Sequence, residues 1–440
     1  MSDTRALADH LVGRLDRRTA EVAVCGQGYV GLSLACGLAD AGLTVRGYDV
    51  DEDRVARLTA GELVVPGVPE ETFAAGQATG RLTFSTDLSR SGDADVVVIC
   101  VPTPVVEHRP DLSFVEAAAT AVAPALRPGA LVVLESTTYP GTTEQVVRPL
   151  LERHGRLVGR DLLLAYSPER IDPGNVKYGL RNTPRVVGGV DDPSTHAATR
   201  FYATVVDDVV AVSGPRTAEM AKLLENTFRM VNIALVNELA TLCAEQDIDV
   251  WEVIRAAASK PFGFMPFQPG PGVGGHCIPL DPTYLAWQSR RDTGRPFRLV
   301  ETAQDLNAMM PRYVADRIVM ALSDRGVPLR GARLLVLGVT YKPDVGDLRE
   351  SAALHVVERL LRGGADVSFH DPFVSTVDVA GHTLHRVEAG PDTVAAADMV
   401  VLLTPHATYD VGLLCDRSRV LFDARNATGS TCRAPSVVRL

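Results

Sequence analysis

The sequence has no apolar run long enough to cross a membrane. A transmembrane helix needs roughly 18 or more consecutive apolar residues, and no stretch of the 440 residues approaches that length. Residues 1–20 are rich in charge and lack the apolar segment of a secretory signal. We therefore expect a cytoplasmic protein with no membrane partner.

Paired cysteines and an excess of positive charge are also missing. The seven cysteines include no CxxC pair, which is typical of reduced thiols. The formal net charge of −10 argues against nucleic acid as a partner, because binding it needs a basic face. No set of Cys and His has the spacing of metal ligands, so we expect no metal.

Apolar residues, by contrast, are abundant. They make up 46% of the chain, against 22% for charged residues, which predicts a well-buried globular protein. A chain of 440 residues is too long for one hydrophobic core, so several domains are expected. Changes in the sequence pattern suggest domains at 1–213, 214–328 and 329–440.

The N-terminal region carries a dinucleotide-binding pattern. A strand at 21–25 runs into GQGYVG, and a helix and a second strand follow. The glycines permit a tight turn, let a pyrophosphate approach the backbone and let the helix pack closely. Asp49 ends the second strand, where a ribose-binding carboxylate belongs, and it favours NAD over NADP. We expect NAD to bind at Gly26, Gly28, Tyr29, Val30, Gly31 and Asp49.

Further apolar strands predict a parallel sheet covered on both faces. Ligands of such sheets bind beyond the carboxyl ends of the strands, and Thr103, Thr137 and Glu169 stand at these ends. Each of them could instead be an ordinary loop residue or a helix cap, but their shared placement favours a site. The strands are predicted at 95–104, 130–141, 162–171 and 185–190.

A long helix is predicted after residue 213. The segment 217–246 contains no Gly or Pro and is apolar on more than one face, as in a helix buried between domains or subunits. Lys222 and Asn226 are four residues apart on it and share one face. A solvated lysine on a polar stripe is the alternative interpretation.

The C-terminal region repeats the N-terminal order of strands and helices. Its first strand runs into GVTYKP instead of GxGxxG, so it is not expected to hold a dinucleotide in the same way. Lys342 in this turn suits a different phosphate-bearing ligand, unless it is only a surface turn residue. The predicted fold is α/β, with two Rossmann-like doubly wound parallel-sheet domains joined by a central helical domain.

One cysteine stands in a Gly/Pro-rich segment, PGPGVGGHCIPLDP at 269–282. Cys277 could bind a metal with His276, fill space, or be a bystander in a phosphate cradle, but we favour a nucleophile. An NAD enzyme that oxidises an alcohol needs a thiol only when the aldehyde is oxidised further. The thiolate adds to the aldehyde, a second hydride leaves, and the thioester is hydrolysed. The predicted product is an acid.

These motifs resemble those of the nucleotide-sugar 6-dehydrogenases, the family of UDP-glucose, GDP-mannose and UDP-N-acetylhexosamine dehydrogenases. The resemblance covers residues 21–427. It implies a four-electron oxidation of the sugar C6 alcohol to a carboxylate, an NAD domain, a central helix with a homodimer interface, and a C-terminal lobe that binds UDP. The motifs that carry it are GQGYVG, CVPTP, ESTTYPGTT, SPERI, AEMAKLLENTFR, GGHCIPLDP and YKPDVGDLRES.

The resemblance also implies roles for individual residues. Cys277 matches the thiol nucleophile, Lys222 the lysine that stabilises oxyanion charge, and Asp281 the acid/base residue. Glu169 matches the carboxylate linked to thioester hydrolysis, and Thr137 the hydroxyl near the reactive water. Further matches to the cofactor site are Asp49, Arg54, Thr103 and Arg349, and those to the substrate site are Glu169, Arg170, Lys222, Asn226, Phe267, Gly274 and Lys342.

The segment around Cys277 also indicates a branch of the family. The glucose and mannose enzymes usually have GGSC and then a lysine before the aspartate, whereas His276 and Leu280 stand at those positions here. The segment resembles the branch that acts on UDP-N-acetylhexosamines. We expect UDP-N-acetylglucosamine as substrate, with UDP-glucose, UDP-N-acetylmannosamine or UDP-N-acetylgalactosamine as alternatives. Two other classes stay open, a two-electron dehydrogenase of the hydroxyacid type and a non-catalytic nucleotide-binding scaffold.

Overall fold

The structure is a computed structural model. It describes residues 2–107, 109–172, 175, 177–275, 277–429, 432 and 436–440, apart from the side chains of Ser2, Asp3 and Cys277. The chain forms two compact units, and each is described by itself. The N-terminal unit comprises residues 1–225 and 283–292, and the C-terminal unit comprises residues 226–282 and 293–440.

The N-terminal unit is built on one large sheet. Its described strands are β1 (Glu21–Cys25), β2 (Thr44–Tyr48), β3 (Leu82–Ser85), β4 (Val96–Ile99), β5 (Val105–Val106), β6 (Arg109–Pro110), β7 (Leu131–Leu134), β8 (Leu163–Tyr166), β9 (Arg185–Gly189) and β10 (Val209–Ala211). Eight of these described strands form a sheet in the order β10-β9-β8-β7-β4-β1-β2-β3, and β5 pairs with β6. Neighbours in the large sheet are parallel except β8 and β9.

Helices cover both faces of this sheet, because alternate residues of its strands point to different apolar cores. In β1, Val22 and Val24 join one core and Ala23 and Cys25 join another. The described helices of this part are α1 (Ser2–Asp16), α2 (Tyr29–Asp40), α3 (Glu52–Thr59), α4 (Glu70–Ala78), α5 (Ser113–Val122), α6 (Arg148–Glu152) and α7 (Asp192–Tyr202), with shorter helical turns at Leu88–Asp93, Ala123–Ala125 and Thr143–Val147.

The direction of β9 corrects the prediction that this strand continues the parallel series. It runs antiparallel to β8, with Ala165 opposite Gly189. A parallel neighbour needs a crossover connection, usually a helix, and the described residues between β8 and β9 contain no helix. The chain therefore re-enters the sheet from the end at which β8 stops.

The helix α1 belongs to the N-terminal core, although the sequence analysis assigned no structure to it. Ala8, Leu11 and Leu15 are buried in the same core as β1, and Arg14 pairs with Asp95 at 2.7 Å. The spacing of these apolar residues, three and four apart, is typical of a helix and could have revealed it.

The segment after β10 is helical, which confirms the predicted long helix. Its described helices are α8 (Pro215–Glu245), α9 (Val250–Ala258), α10 (Cys277–Thr293) and α11 (Arg298–Ser323). Asp249 caps α9 by accepting hydrogen bonds from Trp251 N at 2.8 Å and Glu252 N at 3.2 Å. Both α8 and α10 contribute residues to the two compact units.

The C-terminal unit contains a second parallel sheet, which confirms the predicted fold class. Its described strands run in the order β12-β11-β15-β16-β17, and β13 pairs with β14 as a hairpin. The elements, in chain order, are β11 (Arg333–Leu337), α12 (Ala352–Arg362), β12 (Asp366–His370), β13 (Thr376–Val379), β14 (His382–His385), α13 (Pro391–Ala396), β15 (Met399–Leu402), α14 (Val411–Arg417), β16 (Leu421–Asp423) and β17 (Val437–Arg439). The boundaries 1–213, 214–328 and 329–440 stay a prediction.

The C-terminal unit contains a disulfide. Cys415 in α14 and Cys432 form a disulfide, which corrects the expectation that the thiols are reduced. The fold brings their Cα atoms to 5.9 Å although 17 residues separate them in sequence, and such a pairing leaves no spacing signal.

None of the described helices combines the length and the apolar character that crossing a bilayer requires.

Replacing Leu15 in α1 tests whether this helix is part of the core. Leu15→Ala removes a fully buried side chain, so the free energy of unfolding measured in urea should fall by about 2–5 kcal/mol. His10→Ala is the matched control, since His10 is exposed on the same helix, and it should change stability by less than about 0.5 kcal/mol. Equal stability of the two variants would contradict a core role for α1.

Candidate active site

The turn after β1 forms a cradle for a dinucleotide. Gly26 has a left-handed backbone (φ +93°), and a Cβ there would come within 2.6 Å of a backbone carbonyl oxygen. A Cβ at Gly31 would overlap the Gly26 carbonyl, so glycine is required at both positions. A Cβ at Gly28 would meet nothing within 4 Å. Tyr29 and Val30 form the start of α2, and the N-terminus of a helix favours a pyrophosphate.

Asp49 lies beside this cradle at the end of β2. Its Oδ2 accepts hydrogen bonds from Gln27 N at 2.7 Å and Arg54 Nη1 at 2.9 Å, and its Oδ1 accepts one from Asp51 N at 3.0 Å. This geometry suits a ribose hydroxyl, while the carboxylate disfavours the 2′-phosphate of NADP. The residues present therefore fit NAD.

Thr103 and Thr137 follow the carboxyl ends of β4 and β7, as predicted. Ser136 Oγ donates to Val101 O at 2.7 Å, which joins the two loops. Thr103 is buried, and its carbonyl accepts a hydrogen bond from the Tyr284 hydroxyl. Because β1, β4 and β7 are parallel neighbours, both threonines stand at the same sheet edge as the cradle.

Lys222 in α8 is buried and points to the loop after β8. Its Nζ donates to the backbone carbonyl of Glu169 at 2.6 Å. The Glu169 carboxylate faces elsewhere: Oε1 accepts from the backbone N–H groups of Arg170, at 2.6 Å, and Ile171, and Oε2 accepts from Arg185 Nη1 at 2.8 Å. The carbonyl rather than the carboxylate of Glu169 therefore contacts the lysine.

A buried ion-pair network, absent from the predicted site, holds Glu169. Arg185 at the start of β9 also pairs with Glu135 at the end of β7, and Tyr202 donates its hydroxyl hydrogen to Glu135 Oε2 at 2.9 Å. Burial raises the pKa of Glu135 to about 8, although the positive charge of Arg185 opposes this. Burial also acts to raise the pKa of Glu169, but the charge and hydrogen bonds of Arg185 outweigh it and lower that pKa.

A second buried carboxylate, Glu219, ties α8 to the segment after β7. Its Oε2 accepts from Gly141 N at 2.5 Å, and its Oε1 accepts from Thr143 N at 2.9 Å and Thr143 Oγ1 at 2.7 Å. Glu219 is three residues before Lys222, so this contact orients the helix that carries the lysine against the loop that carries Thr137. Sequence patterns gave no sign of it, because more than 70 residues separate the partners.

The C-terminal unit holds Asn226 and Asp281 together. Asn226 Nδ2 donates to Asp281 Oδ2 at 2.5 Å, and both side chains are buried. Asp281 lies in α10, which begins at Cys277. The predicted nucleophile itself, the Cys277 side chain, and the neighbouring His276 lie outside the described residues. The structure therefore shows the Asp281 carboxylate, one helical turn after the cysteine, and the Asn226 amide that donates to it.

The glycine-rich loop before α10 is pressed against the segment that carries Arg349 in the same unit. Gly275 N donates to Arg349 O at 3.0 Å, and a Cβ at Gly274 would lie 2.7 Å from the Glu350 carbonyl oxygen. Gly275 has a left-handed backbone (φ +84°), and a Cβ there would come within 2.8 Å of the Tyr341 ring. The glycines are therefore required by close packing within the protein.

The predicted substrate residues Lys342 and Phe267 and the predicted cofactor residue Arg349 also lie in the C-terminal unit. Lys342 is half-buried in the turn after β11, and the Arg349 guanidinium is paired with Asp347 at 2.6 Å. Phe267 packs edge-on against Phe228, with 5.7 Å between ring centroids. In the N-terminal unit, Arg170 pairs with Glu225 at 2.8 Å.

Arg425 is a cationic group near this loop that the sequence analysis missed. It follows β16, and a Cβ added to Gly270 would overlap its guanidinium. Desolvation lowers the pKa of Arg425 to about 10. A desolvated guanidinium beside a glycine-rich loop is suited to an anionic ligand. The signal available in sequence was an arginine shortly after a strand of the second lobe, which is too common to single it out.

The predicted site residues thus fall into two groups. The N-terminal unit brings together the cofactor cradle, Thr137, Glu169 and Lys222. The C-terminal unit brings together Asn226 and Asp281, and it places the glycine-rich loop against the segment that follows β11. Their roles in catalysis stay predictions.

The high pKa of Glu135 has a consequence for stability. Because its folded pKa of about 8 lies above the ordinary glutamate pKa of 4.5, this carboxyl stabilises the fold most at acid pH. That contribution is lost as the pH rises from about 4.5 towards 8. In Glu135→Gln the side chain is always neutral, so the unfolding free energy, measured in urea across this range, should fall less than in wild type. Tyr202→Phe keeps the carboxyl and should still show the fall, whereas parallel curves for wild type and Glu135→Gln would contradict the assignment.

Three domains of one protein family match successive regions of the chain. The NAD binding domain of the UDP-glucose/GDP-mannose dehydrogenase family matches residues 20–206. The central domain of the same family matches residues 216–309, and its UDP binding domain matches residues 335–430.

Individual relatives are similar over almost the whole chain. The UDP-N-acetyl-D-mannosamine dehydrogenase of Escherichia coli K12 is 36% identical over 413 residues, which is 89% of this chain and 95% of the relative. The enzyme of the same name from Methanococcus aeolicus is 35% identical over 394 residues, 88% of this chain and 85% of the relative. A solved UDP-D-ManNAc dehydrogenase from Pyrococcus horikoshii matches with a TM-score of 0.85 at 32% identity, covering 95% of this chain and 98% of that one.

These matches agree with the cofactor cradle after β1 and with the second parallel sheet. The region matched as an NAD binding domain contains the cradle and Asp49, and the region matched as a UDP binding domain contains Lys342 and Arg425. The chain therefore belongs to the UDP-glucose/GDP-mannose dehydrogenase family and is an NAD-dependent UDP-sugar dehydrogenase.

Proposed function

We propose that the protein oxidises the C6 alcohol of UDP-N-acetylmannosamine to the carboxylate and reduces two NAD per sugar. The observation that carries the choice of sugar is the similarity of almost the whole chain to UDP-N-acetyl-D-mannosamine dehydrogenases. It favours this alternative over UDP-N-acetylglucosamine, the first choice from the motif around Cys277.

Four electrons leave the substrate in two steps. NAD, when bound, accepts a hydride in each step. Between them, the Cys277 thiolate forms a C–S bond to the aldehyde carbon, and after the second oxidation water breaks the thioester and releases the thiol. One alcohol, two NAD and one water give one carboxylate, two NADH and three protons, so no further oxidant is needed.

We propose that Lys222 stabilises the negative charge that develops on the substrate oxygen. Its ammonium is oriented by the Glu169 carbonyl and is only 8% exposed, so water screens it weakly. Because N–H donors already contact both oxygens of the Glu169 carboxylate, we assign Glu169 to holding this carbonyl in place. In the C-terminal unit, Asp281 is the proposed acid/base group, and Asn226 orients its carboxylate.

The other thiols support Cys277 as the nucleophile. Among the described side chains, burial raises the pKa of Cys25 and Cys36 to about 12, and it also raises that of Cys100. A thiol whose pKa is raised is rarely ionised at neutral pH and is a poor nucleophile. The remaining described cysteines are either buried in α8 or paired in the disulfide.

In the C-terminal unit, Lys342 and Arg425 are the proposed contacts for the charged part of the UDP-sugar. Lys342 lies in the turn after β11, and Arg425 borders the loop before α10. Both are cations, and such groups bind phosphate oxygens. Phe267 and Gly274 are proposed to line the sugar side of the same loop.

Counting NADH tests the four-electron reaction. With limiting UDP-N-acetylmannosamine and excess NAD, we expect two NADH per sugar, and Cys277→Ser should form acid at least about a thousandfold more slowly. Cys243→Ser, which changes a buried thiol in α8, is the control and should keep the yield.

Other outcomes of this assay point to other functions. One NADH per substrate, unaffected by Cys277→Ser, would indicate a two-electron dehydrogenase of the hydroxyacid type. Binding without turnover would indicate a scaffold. A higher kcat/KM for UDP-glucose, UDP-N-acetylglucosamine or UDP-N-acetylgalactosamine would contradict the choice of sugar.

We further propose that the protein is a homodimer that pairs through α8. Five large apolar side chains of this helix are exposed, and at 100° per residue they fall within an arc of about 80°. An exposed apolar stripe of this length is typical of a protein interface. Its members are Met220, Leu224, Phe228, Leu235 and Leu242.

A charge placed in this stripe should separate the subunits. Leu235 is 60% exposed, so Leu235→Asp should leave the fold of the chain intact but shift the sedimentation coefficient from dimer to monomer. Arg229→Asp is the matched control, because Arg229 is exposed on the opposite side of α8. A wild-type chain that sediments as a monomer, or a dimer that Leu235→Asp does not weaken, would contradict this interface.

A further inference from the structure

The large sheet of the N-terminal unit (β1–β4 and β7–β10) and the parallel sheet of the C-terminal unit (β11, β12 and β15–β17) are called the first and the second lobe. The second lobe repeats the carboxylate geometry of the first. Asp371 follows β12 as Asp49 follows β2. Its Oδ2 accepts from Val339 N at 2.9 Å, in the turn after the first strand, and its Oδ1 accepts from Phe373 N at 2.9 Å. The turn begins with Gly338 in a left-handed conformation (φ +79°), where a Cβ would overlap a backbone carbonyl. The backbone frame of a dinucleotide site is therefore present twice in the chain.

The two carboxylates differ in their side-chain partner. Asp49 pairs with Arg54, which is 36% exposed, at the edge of the cofactor cradle. Asp371 pairs with His406 Nε2 at 3.0 Å, and both of these side chains are fully buried. In the second lobe the Asp371 carboxylate is therefore inaccessible to a ligand, because the His406 side chain binds it inside the protein.

The position of the His406 ring is fixed on every side that the structure describes. Its Nδ1 accepts a hydrogen bond from Asp344 N at 2.9 Å. This requires Nε2 to carry the hydrogen, which it donates to Asp371. The ring packs against Phe373 and Tyr409, with 5.2 Å and 5.5 Å between centroids. His406 thus connects the buried carboxylate to the backbone of the turn after β11.

That turn carries Lys342, and further hydrogen bonds hold it at both ends. Thr340 Oγ1 donates to Lys342 O at 3.1 Å, and Thr404 Oγ1 donates to Thr340 O at 2.7 Å. At the other end, Asp344 Oδ1 accepts from Ala407 N at 2.9 Å. The residues around His406 therefore fix the backbone on both sides of the lysine.

We propose that His406, together with the contact from Ala407 N to Asp344, positions Lys342, so that a carboxylate proposed for cofactor binding in the first lobe serves in the second lobe to organise the diphosphate site. The proposal rests on the proposed function in one respect, the assignment of Lys342 to the nucleotide diphosphate. A lysine side chain is long and flexible, and a fixed backbone lowers the entropy lost when its ammonium binds a phosphate.

This role predicts which constants change. Loosening the turn weakens the ground-state binding of the nucleotide, so the Kd for UDP and the KM for the UDP-sugar should rise together while kcat changes little. The KM for NAD should not change, because the cofactor cradle lies in the N-terminal unit. Arg349, the predicted cofactor residue of the C-terminal unit, is held by Asp347 rather than by His406.

Asp344 offers a matched pair of variants at an exposed position. Its side chain is 47% exposed and its backbone is left-handed (φ +60°), a conformation that glycine and asparagine accept. Asp344→Gly removes the acceptor for Ala407 N, whereas Asp344→Asn keeps it. In calorimetric titrations of the full chain with UDP, we expect the Kd to rise about tenfold for Asp344→Gly and less than about twofold for Asp344→Asn.

Two replacements of His406 separate its two hydrogen bonds. His406→Asn puts an oxygen near the position of Nδ1 and can still accept from Asp344 N. His406→Gln puts an amide nitrogen near the position of Nε2 and keeps only the bond to Asp371. If the turn is what matters, the asparagine variant should bind UDP more tightly than the glutamine variant. Should both fail to fold, the Asp344 pair decides alone.

The results separate this proposal from the proposed function. Equal UDP affinity of Asp344→Gly and Asp344→Asn would overturn the positioning role, as would a parallel rise in the KM for NAD. If the wild-type chain does not oxidise UDP-N-acetylmannosamine but the Asp344 pair differs in UDP affinity as stated, the proposed function fails and the positioning role stands.

Discussion

The buried guanidinium of Arg185 is the contact on which the N-terminal part of the site depends. It connects the ends of two neighbouring strands by pairing with Glu135 after β7 and Glu169 after β8. Without it, the ionised Glu169 carboxylate would remain buried without a compensating charge, which is strongly unfavourable. Since the Glu169 carbonyl contacts Lys222, the position of the ammonium in the site follows from this ion pair.

The two lobes share one backbone arrangement but differ in the ligands proposed for them. In each, a carboxylate after the second strand accepts an N–H from the turn after the first strand. In the first lobe Asp49 is left at the edge of a glycine cradle with a partly exposed arginine. In the second lobe a buried histidine closes off Asp371, and the turn carries Lys342 where the first lobe has its glycine cradle. The side-chain partner, rather than the backbone, distinguishes the ligands of the two lobes.

Much of the fold could be predicted from local sequence patterns. The glycines after β1 were recognisable because the backbone conformation of the turn restricts which residues fit there. The apolar strands were recognisable because burial on both faces restricts their residues to apolar ones. The direction of β9 and the pairing of Glu219 with Gly141 could not be predicted, because they depend on where distant segments meet. Arg185 and Arg425 were missed for the same reason, since nothing in their neighbouring sequence separates a buried arginine from a surface one.

In the proposed reaction the sugar passes through a covalent intermediate on Cys277. The most direct test of this intermediate is the intact mass of the protein after wild-type enzyme, NAD and UDP-N-acetylmannosamine are mixed and quenched in acid within one turnover. We expect an adduct with the mass of the substrate less the four hydrogens removed in two oxidations, mapped by peptide analysis to Cys277. Acid product formed at full rate with no adduct at any time, or an adduct on another residue, would contradict it.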